Sequence, residues 1–160
     1  VDAVRYYLLR YVHPVEDSDF TEAKFRDAYT ADLANGLGNL VSRVTGLLEQ
    51  NHVTPALDDP KPLPKAVRAA LDAFGFDAAL KALWEEVRGL DVYVAQTQPW
   101  QLAKQGKIKK LATVLAKSAQ GVRNLAHWLQ PFLPQTAGQI RAAITAQPVV
   151  KAKPLFPRLE

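Results

Sequence analysis

The chain has 160 residues, 48% hydrophobic and 22% charged, with a formal net charge of +4, a make-up that suits one folded domain and excludes a disordered one. It contains no cysteine, which excludes disulfides and thiolate metal sites, and His13, His52 and His127 stand too far apart for a familiar local metal motif. No apolar run approaches the roughly 20 residues that cross a bilayer, and the N-terminus lacks the layout of a secretory signal, so no membrane association is expected and the cytoplasm is the expected location.

The chain opens at Val1 and has no methionine anywhere, so a trimmed start or an internal fragment of a longer product is expected. Residues 2 to 10, DAVRYYLLR, predict a short amphipathic helix with Val4, Tyr7 and Leu8 at core spacing, ending before a loop at His13-Pro14. Thr21 is a candidate N-cap with Glu22 well placed for the helix dipole. The long helix that follows carries Phe25, Tyr29, Leu33, Leu37, Leu40, Val41, Val44 and Leu48 on one stripe. Gly36 and Gly38 lie inside it, each costing about 1 kcal/mol against alanine, so another element or a ligand is expected close by.

Asn51 to Pro64, with Asp58, Asp59 and four prolines, predicts a linker, because proline interrupts helical hydrogen bonding. Pro64 is expected to open a short helix running to Gly75. Asp77 is expected to cap the next, which carries Leu80, Leu83, Trp84, Val87 and Leu90 and is kinked or ended by Pro99. After Gly106, Ile108, Leu111, Leu115, Val122, Leu125, Ala126 and Leu129 define a further helix stopping near Pro131, and Thr136 to Ile144 a last one. With no convincing strand pattern, the fold class is all-α, a helical bundle over residues 1–147. Residues 148–160, with three prolines and no helical period, form an extended C-terminal tail that can pack through Leu155 and Phe156.

The charge is segregated. From residue 101 onward Lys104, Lys107, Lys109, Lys110, Lys117, Arg123, Arg141, Lys151, Lys153 and Arg158 are opposed only by Glu160. Such a segment attracts phosphate backbones, although a solvated lysine face kept for solubility would look the same. The familiar catalytic signatures are missing: no phosphate-binding glycine loop, no GxSxG, no HExxH. Glu85-Glu86 are adjacent on a helix and so point apart, Asp58-Asp59 lie in a loop, and His127 beside Trp128 fits a structural or surface histidine. Trp100, after a proline at a helix end, could offer an indole for base stacking, with core packing as the competing reading. Asn39 and Arg43, four apart on one helix face, could both reach base edges, or could simply be solvated.

Taken in order, DAVRYYLLR, EDSDF, ADLANGLGNLVSRV, PWQLAK, LQPFLPQTAGQI and PLFPRLE resemble the C-terminal part of the methionyl-tRNA synthetases (methionine–tRNA ligases) over nearly the whole chain. The resemblance implies the helical anticodon-binding domain of a class I synthetase, following an active-site domain whose HIGH and KMSKS motifs are not on this chain. It implies that Asn39, Arg43 and Trp100 recognise the CAU anticodon, with Pro99 setting the angle of the indole. Lys104, Lys107, Lys109 and Lys110 are then expected to meet anticodon-stem phosphates. The implied partners are the tRNA(Met) anticodon stem-loop and the catalytic domain of the same enzyme, with no DNA. ATP and methionine would bind that catalytic domain, so no cofactor is expected here. The family often has asparagine two residues before the tyrosine in the helix leading to PW; this chain has Asp91 before Tyr93, a departure expected not to touch the three reading residues. The alternative is a helical protein-interaction domain that uses the basic tail to dock a partner or the catalytic half; on either account the tail is expected to fold back on the neighbouring domain.

Overall fold

The computed structural model describes residues 1–12 and 19–159; the expected loop at His13-Pro14, the first part of the EDSDF string and Glu160 lie outside them. Among the described residues the fold is all-helical. The elements are α1 (Asp2–Tyr11), α2 (Glu22–Ala28), a π-helical segment (Tyr29–Gly38), α3 (Asn39–Gln50), α4 (Lys65–Asp72), α5 (Phe76–Thr97), α6 (Pro99–Lys104), α7 (Ile108–Trp128) and α8 (Pro134–Thr145).

The expected long helix exists and starts where its cap predicts, with the Thr21 hydroxyl accepting from the Lys24 N–H at 3.2 Å. It is not uniform. Ten residues in its middle wind with the wider π turn, and the Asn39 N–H reaches back five residues to the Ala34 carbonyl. A π stretch of this length is rare, since most such departures last a single turn. Leu33, Leu37, Leu40, Val41, Val44 and Leu48 are fully buried along the composite helix and form the spine of the core. The two glycines face protein: a Cβ on Gly36 would come to 3.9 Å from the Trp84 indole nitrogen, and one on Gly38 to 3.6 Å from Phe156.

Helix α1 turns differently from expectation. Tyr6 and Tyr7 are buried, whereas Val4 and Leu8 are 47% and 48% exposed. The cause is polar as well as apolar. Tyr6 stacks against Trp84 with centroids 4.4 Å apart and donates to the Asp32 carboxylate at 2.8 Å, while the buried Asp2 carboxylate accepts from the Thr136 N–H at 2.7 Å. Asp2 thereby caps α8 from another helix, satisfying an amide that α8 itself cannot. These bonds fix the rotation of α1 and leave Val1, Val4, Leu8 and Tyr11 as an exposed apolar stripe.

Segment 51–64 is irregular as expected, and α7 holds it in place. The Lys61 N–H donates to the Asn124 side chain at 3.1 Å, and the Trp128 indole donates to the Lys61 carbonyl at 2.7 Å. Asp77 is not the cap of α5. The helix begins two residues earlier than that cap would place it, with Gly75 at its cap position and no side-chain cap bond. The preceding turn sets this start, because Phe74 takes a left-handed conformation (φ +56°) and the Gly75 N–H closes on the Ala70 carbonyl at 2.8 Å. Asp77 instead sits in the first turn, where its charge favours the helix dipole.

The tail packs on the bundle. It runs antiparallel to the composite helix: the Ala152 N–H donates to the Thr45 hydroxyl at 2.9 Å, and the Tyr29 hydroxyl donates to the Pro157 carbonyl at 2.6 Å. Phe156 meets Tyr29 edge-on at 5.9 Å. Val149 and Phe156 are buried; of the two expected anchors, Leu155 packs only partly buried against the core.

Candidate nucleic-acid interface

Asn39 and Arg43 occupy the first turns of α3, directly after the π segment. Four residues apart on an α-helix, they share a face, and that face is open. They line a shallow recess of about 290 Å³ together with Ser42, Gly46, Gln50 and Lys151. Asn39 is exposed and Arg43 half-buried. Lys151 reaches the recess from the tail: a Cβ on Gly46 would come to 3.4 Å from the lysine Cδ, so the aliphatic stem lies over a residue with no side chain. The stem packs, and among the described residues the ammonium has no ion-pair partner, which suits solvent or an anion.

Arg43 has a partner. Its guanidinium forms an ion pair with Asp91 of α5, and its Nε is buried without a hydrogen-bond partner. The expectation that Asp91 leaves the reading residues untouched is therefore wrong: Arg43 spans the gap between α3 and α5 and ends on that carboxylate. Helical period alone cannot reveal such a contact, because it joins residues 48 positions apart.

Trp100 lies elsewhere, at the corner between α5 and α6. Helix α5 ends at Thr97, and Gln98 takes a left-handed conformation (φ 45°, ψ 58°). Pro99, buried, then occupies the first position of α6, where its missing N–H costs nothing. A non-glycine residue with positive φ is strained, and this conformation turns the chain between α5 and α6, with the indole after Pro99 partly exposed at the corner. Trp100 is 37% exposed, against 6% for Trp84 and 7% for Trp128. Of the three indoles it is the one offered to solvent. It does not line the Asn39–Arg43 recess.

Lys104, Lys107, Lys109 and Lys110 are all exposed around the turn from α6 to α7, where Gly106 has φ +66°. None is in an ion pair among the described residues. Lys107 is the N-cap residue of α7, and Lys109 and Lys110 fall in its first turn. Cations at the positive end of a helix dipole are unfavourable, by about 0.3–1 kcal/mol each. Their concentration there, with the free amides of α7, makes an anion-attracting corner. Further along, Lys117 lies over the Tyr93 ring at 4.4 Å and Arg123 is 3.7 Å from Asp59, so those two cations are already engaged.

The acids offer no competing chemistry. Glu85 lies 3.4 Å from Arg88 on the surface, and His127 is exposed on α7. Among the described residues no group of three His, Asp or Glu side chains could hold a metal ion, and no helix is long and apolar enough to cross a membrane.

Residues 1–45 match the family model described as tRNA synthetases class I (M). The whole chain is similar to the methionine–tRNA ligase of Listeria monocytogenes serotype 4b at 33% identity and to methionine–tRNA ligase 1 of Bacillus anthracis at 32%. It spans about 30% of the length of each. Among solved structures it is similar to the free form of Mycobacterium tuberculosis methionyl-tRNA synthetase, with a TM-score of 0.80 and 27% identity over 100% of this chain and 39% of that one.

Proposed function

The chain belongs to the methionyl-tRNA synthetase family, and from that premise we propose that it is the domain that reads the CAU anticodon of tRNA(Met) during protein biosynthesis in the cytoplasm. The observation that carries this reading is the exposure of Trp100 at a strained, proline-fixed corner. A tryptophan left more than a third exposed still offers ring surface to a partner, and an unpaired base stacks on such a ring for about 1–3 kcal/mol. The Asn39 amide and the remaining Arg43 N–H groups would read base edges of an unstacked loop. The lysines at the α6–α7 turn would hold the stem through its phosphates, giving affinity without sequence preference. Activation of methionine by ATP, and its transfer to tRNA, are assigned to the rest of the enzyme, so this chain needs no cofactor of its own.

The test is binding of a short RNA hairpin with a CAU loop against the same stem with altered loop bases, at two salt concentrations. The wild type is expected to prefer CAU and Trp100→Ala to lose that preference while keeping the salt-dependent component. Equal binding of both hairpins by the wild type would leave only a basic surface and refute anticodon reading.

The exposed stripe Val1, Val4, Leu8 and Tyr11 favours a second, compatible role as a protein-docking face, with the catalytic part of the same enzyme as its partner. Apolar side chains in line on one helix are costly to leave in water and commonly mark an interface.

A further inference from the structure

The Arg43–Asp91 pair asks for an explanation that stability does not supply. Its side chains are 29% and 45% exposed, and ion pairs in such surroundings contribute little to folding. The pair also leaves the Arg43 Nε buried and unpartnered, so the guanidinium is not held by a saturated network. Its orientation rests on one carboxylate. The charged residues that line the recess itself are Arg43 and Lys151, and the Asp91 carboxylate is tied to it through Arg43.

Charge decides what such an arginine binds. An uncompensated guanidinium is attracted to any phosphate, and Arg–phosphate contacts are strong, bidentate and indifferent to sequence. A guanidinium already paired with a carboxylate carries little net charge to the RNA. It still has N–H donors turned away from the acid, and these can bond the neutral edge of an unpaired base. We propose that Asp91 is a positioning and charge-balancing residue for Arg43, holding its guanidinium at the recess so that it reads a base edge instead of capturing a phosphate. The inference rests on the anticodon reading above. It predicts that this acid lowers total affinity and raises the preference for the right loop.

Asp91→Asn keeps the shape and an acceptor for Arg43 and removes the charge. With the full chain and the two hairpins, one with a CAU loop and one with altered loop bases, affinity for the altered loop is expected to rise several-fold and for the CAU loop less. Loop discrimination should therefore fall about fivefold, and the plot of log affinity against log salt should steepen by roughly 0.7, the increment for one further phosphate contact on a single strand. In the Arg43→Ala background the same substitution should leave discrimination unchanged, because the effect runs through the guanidinium. A wild type that prefers CAU, with Asp91→Asn matching it in both slope and discrimination, would overturn this inference and leave anticodon reading standing. Equal strengthening of both hairpins by Asp91→Asn, with or without Arg43, would also overturn it, since Asp91 would then merely repel RNA. A wild type blind to the loop would sink both.

Discussion

Asp32 and Asp91 are both half-buried and each tie one helix to another, but their partners differ. Asp32, in the π segment, accepts from the Tyr6 hydroxyl at 2.8 Å and the Tyr11 hydroxyl at 2.5 Å, and its carbonyl accepts from the Trp84 indole at 3.4 Å. Around it lies an aromatic cluster, with Tyr6 only 1% exposed. Asp91 pairs, among the described residues, with Arg43, which lines an open recess. Burial of Tyr6 makes an unmade bond from its hydroxyl expensive, so the first node is held by several neutral donors. Solvent makes the second cheap to open. A binding surface needs that property, because groups already saturated by their own protein have nothing left for RNA.

Breaking the Asp32 node should have the largest effect. Asp32→Ala is expected to cost about 2–4 kcal/mol in urea unfolding, because it strands the Tyr6 hydroxyl in the core. Asp32→Asn, which still accepts, should recover much of that loss; equal losses for the two would mean that the node is held by packing alone. At the open face, Trp100→Ala should reduce binding of the CAU hairpin by about 1–3 kcal/mol while changing urea stability by less than about 1 kcal/mol, as fits a partly exposed ring. A large stability loss with unchanged binding would reverse the contrast drawn here.

The node also predicts a pH dependence. Burial, and then the neighbouring Asp32 charge, push the Tyr6 hydroxyl above the usual tyrosine range, so the folded protein favours the neutral phenol more than the unfolded chain does. That contribution is fully present below the unfolded tyrosine value of about 10 and is lost as pH rises beyond it. Tyr6→Phe should cost about 1 kcal/mol at neutral pH and flatten the fall in stability above pH 10 by about one proton. An unchanged alkaline slope would place that titration on other tyrosines. The smallest effect is expected from Arg43→Ala, at most about 1 kcal/mol of stability, together with a clear loss of loop preference in the hairpin assay.

The contrast also marks what the residues alone could tell. Helix ends punctuated by Pro64, Pro99, Gly106 and Pro131 were readable because proline and glycine act locally. So was the Thr21 cap, and so was the core stripe from Leu33 to Leu48. The orientation of α1 was not. Val4, Tyr7 and Leu8 have helical spacing, but the Tyr6 and Asp2 hydrogen bonds, to partners 26 and 134 residues away, choose which face turns inward. The Asp77 cap failed because an exposed phenylalanine, Phe74, takes the left-handed turn usually left to glycine. Of the candidate site, the residue types of Asn39, Arg43 and Trp100 were legible; the Asp91 contact and the arrival of Lys151 are tertiary. The tail's place followed neither from its prolines nor from its lack of period, because it is fixed by single bonds to Thr45 and Tyr29.

The π winding between Tyr29 and Gly38 sets a phase. An ideal α-helix advances about 100° per residue and a π-helix, with about 4.4 residues per turn, closer to 80°. Over ten residues the looser winding withholds roughly half a turn, so these residues advance the helix about as far around as eight α-helical ones would. Rewound as a plain α-helix of the same length, the composite would carry Asn39 and Arg43 to the opposite side relative to α2. Deleting two residues between 29 and 38 should therefore disturb the register of α3 less than deleting one, a ranking that thermal unfolding of the two deletions would establish.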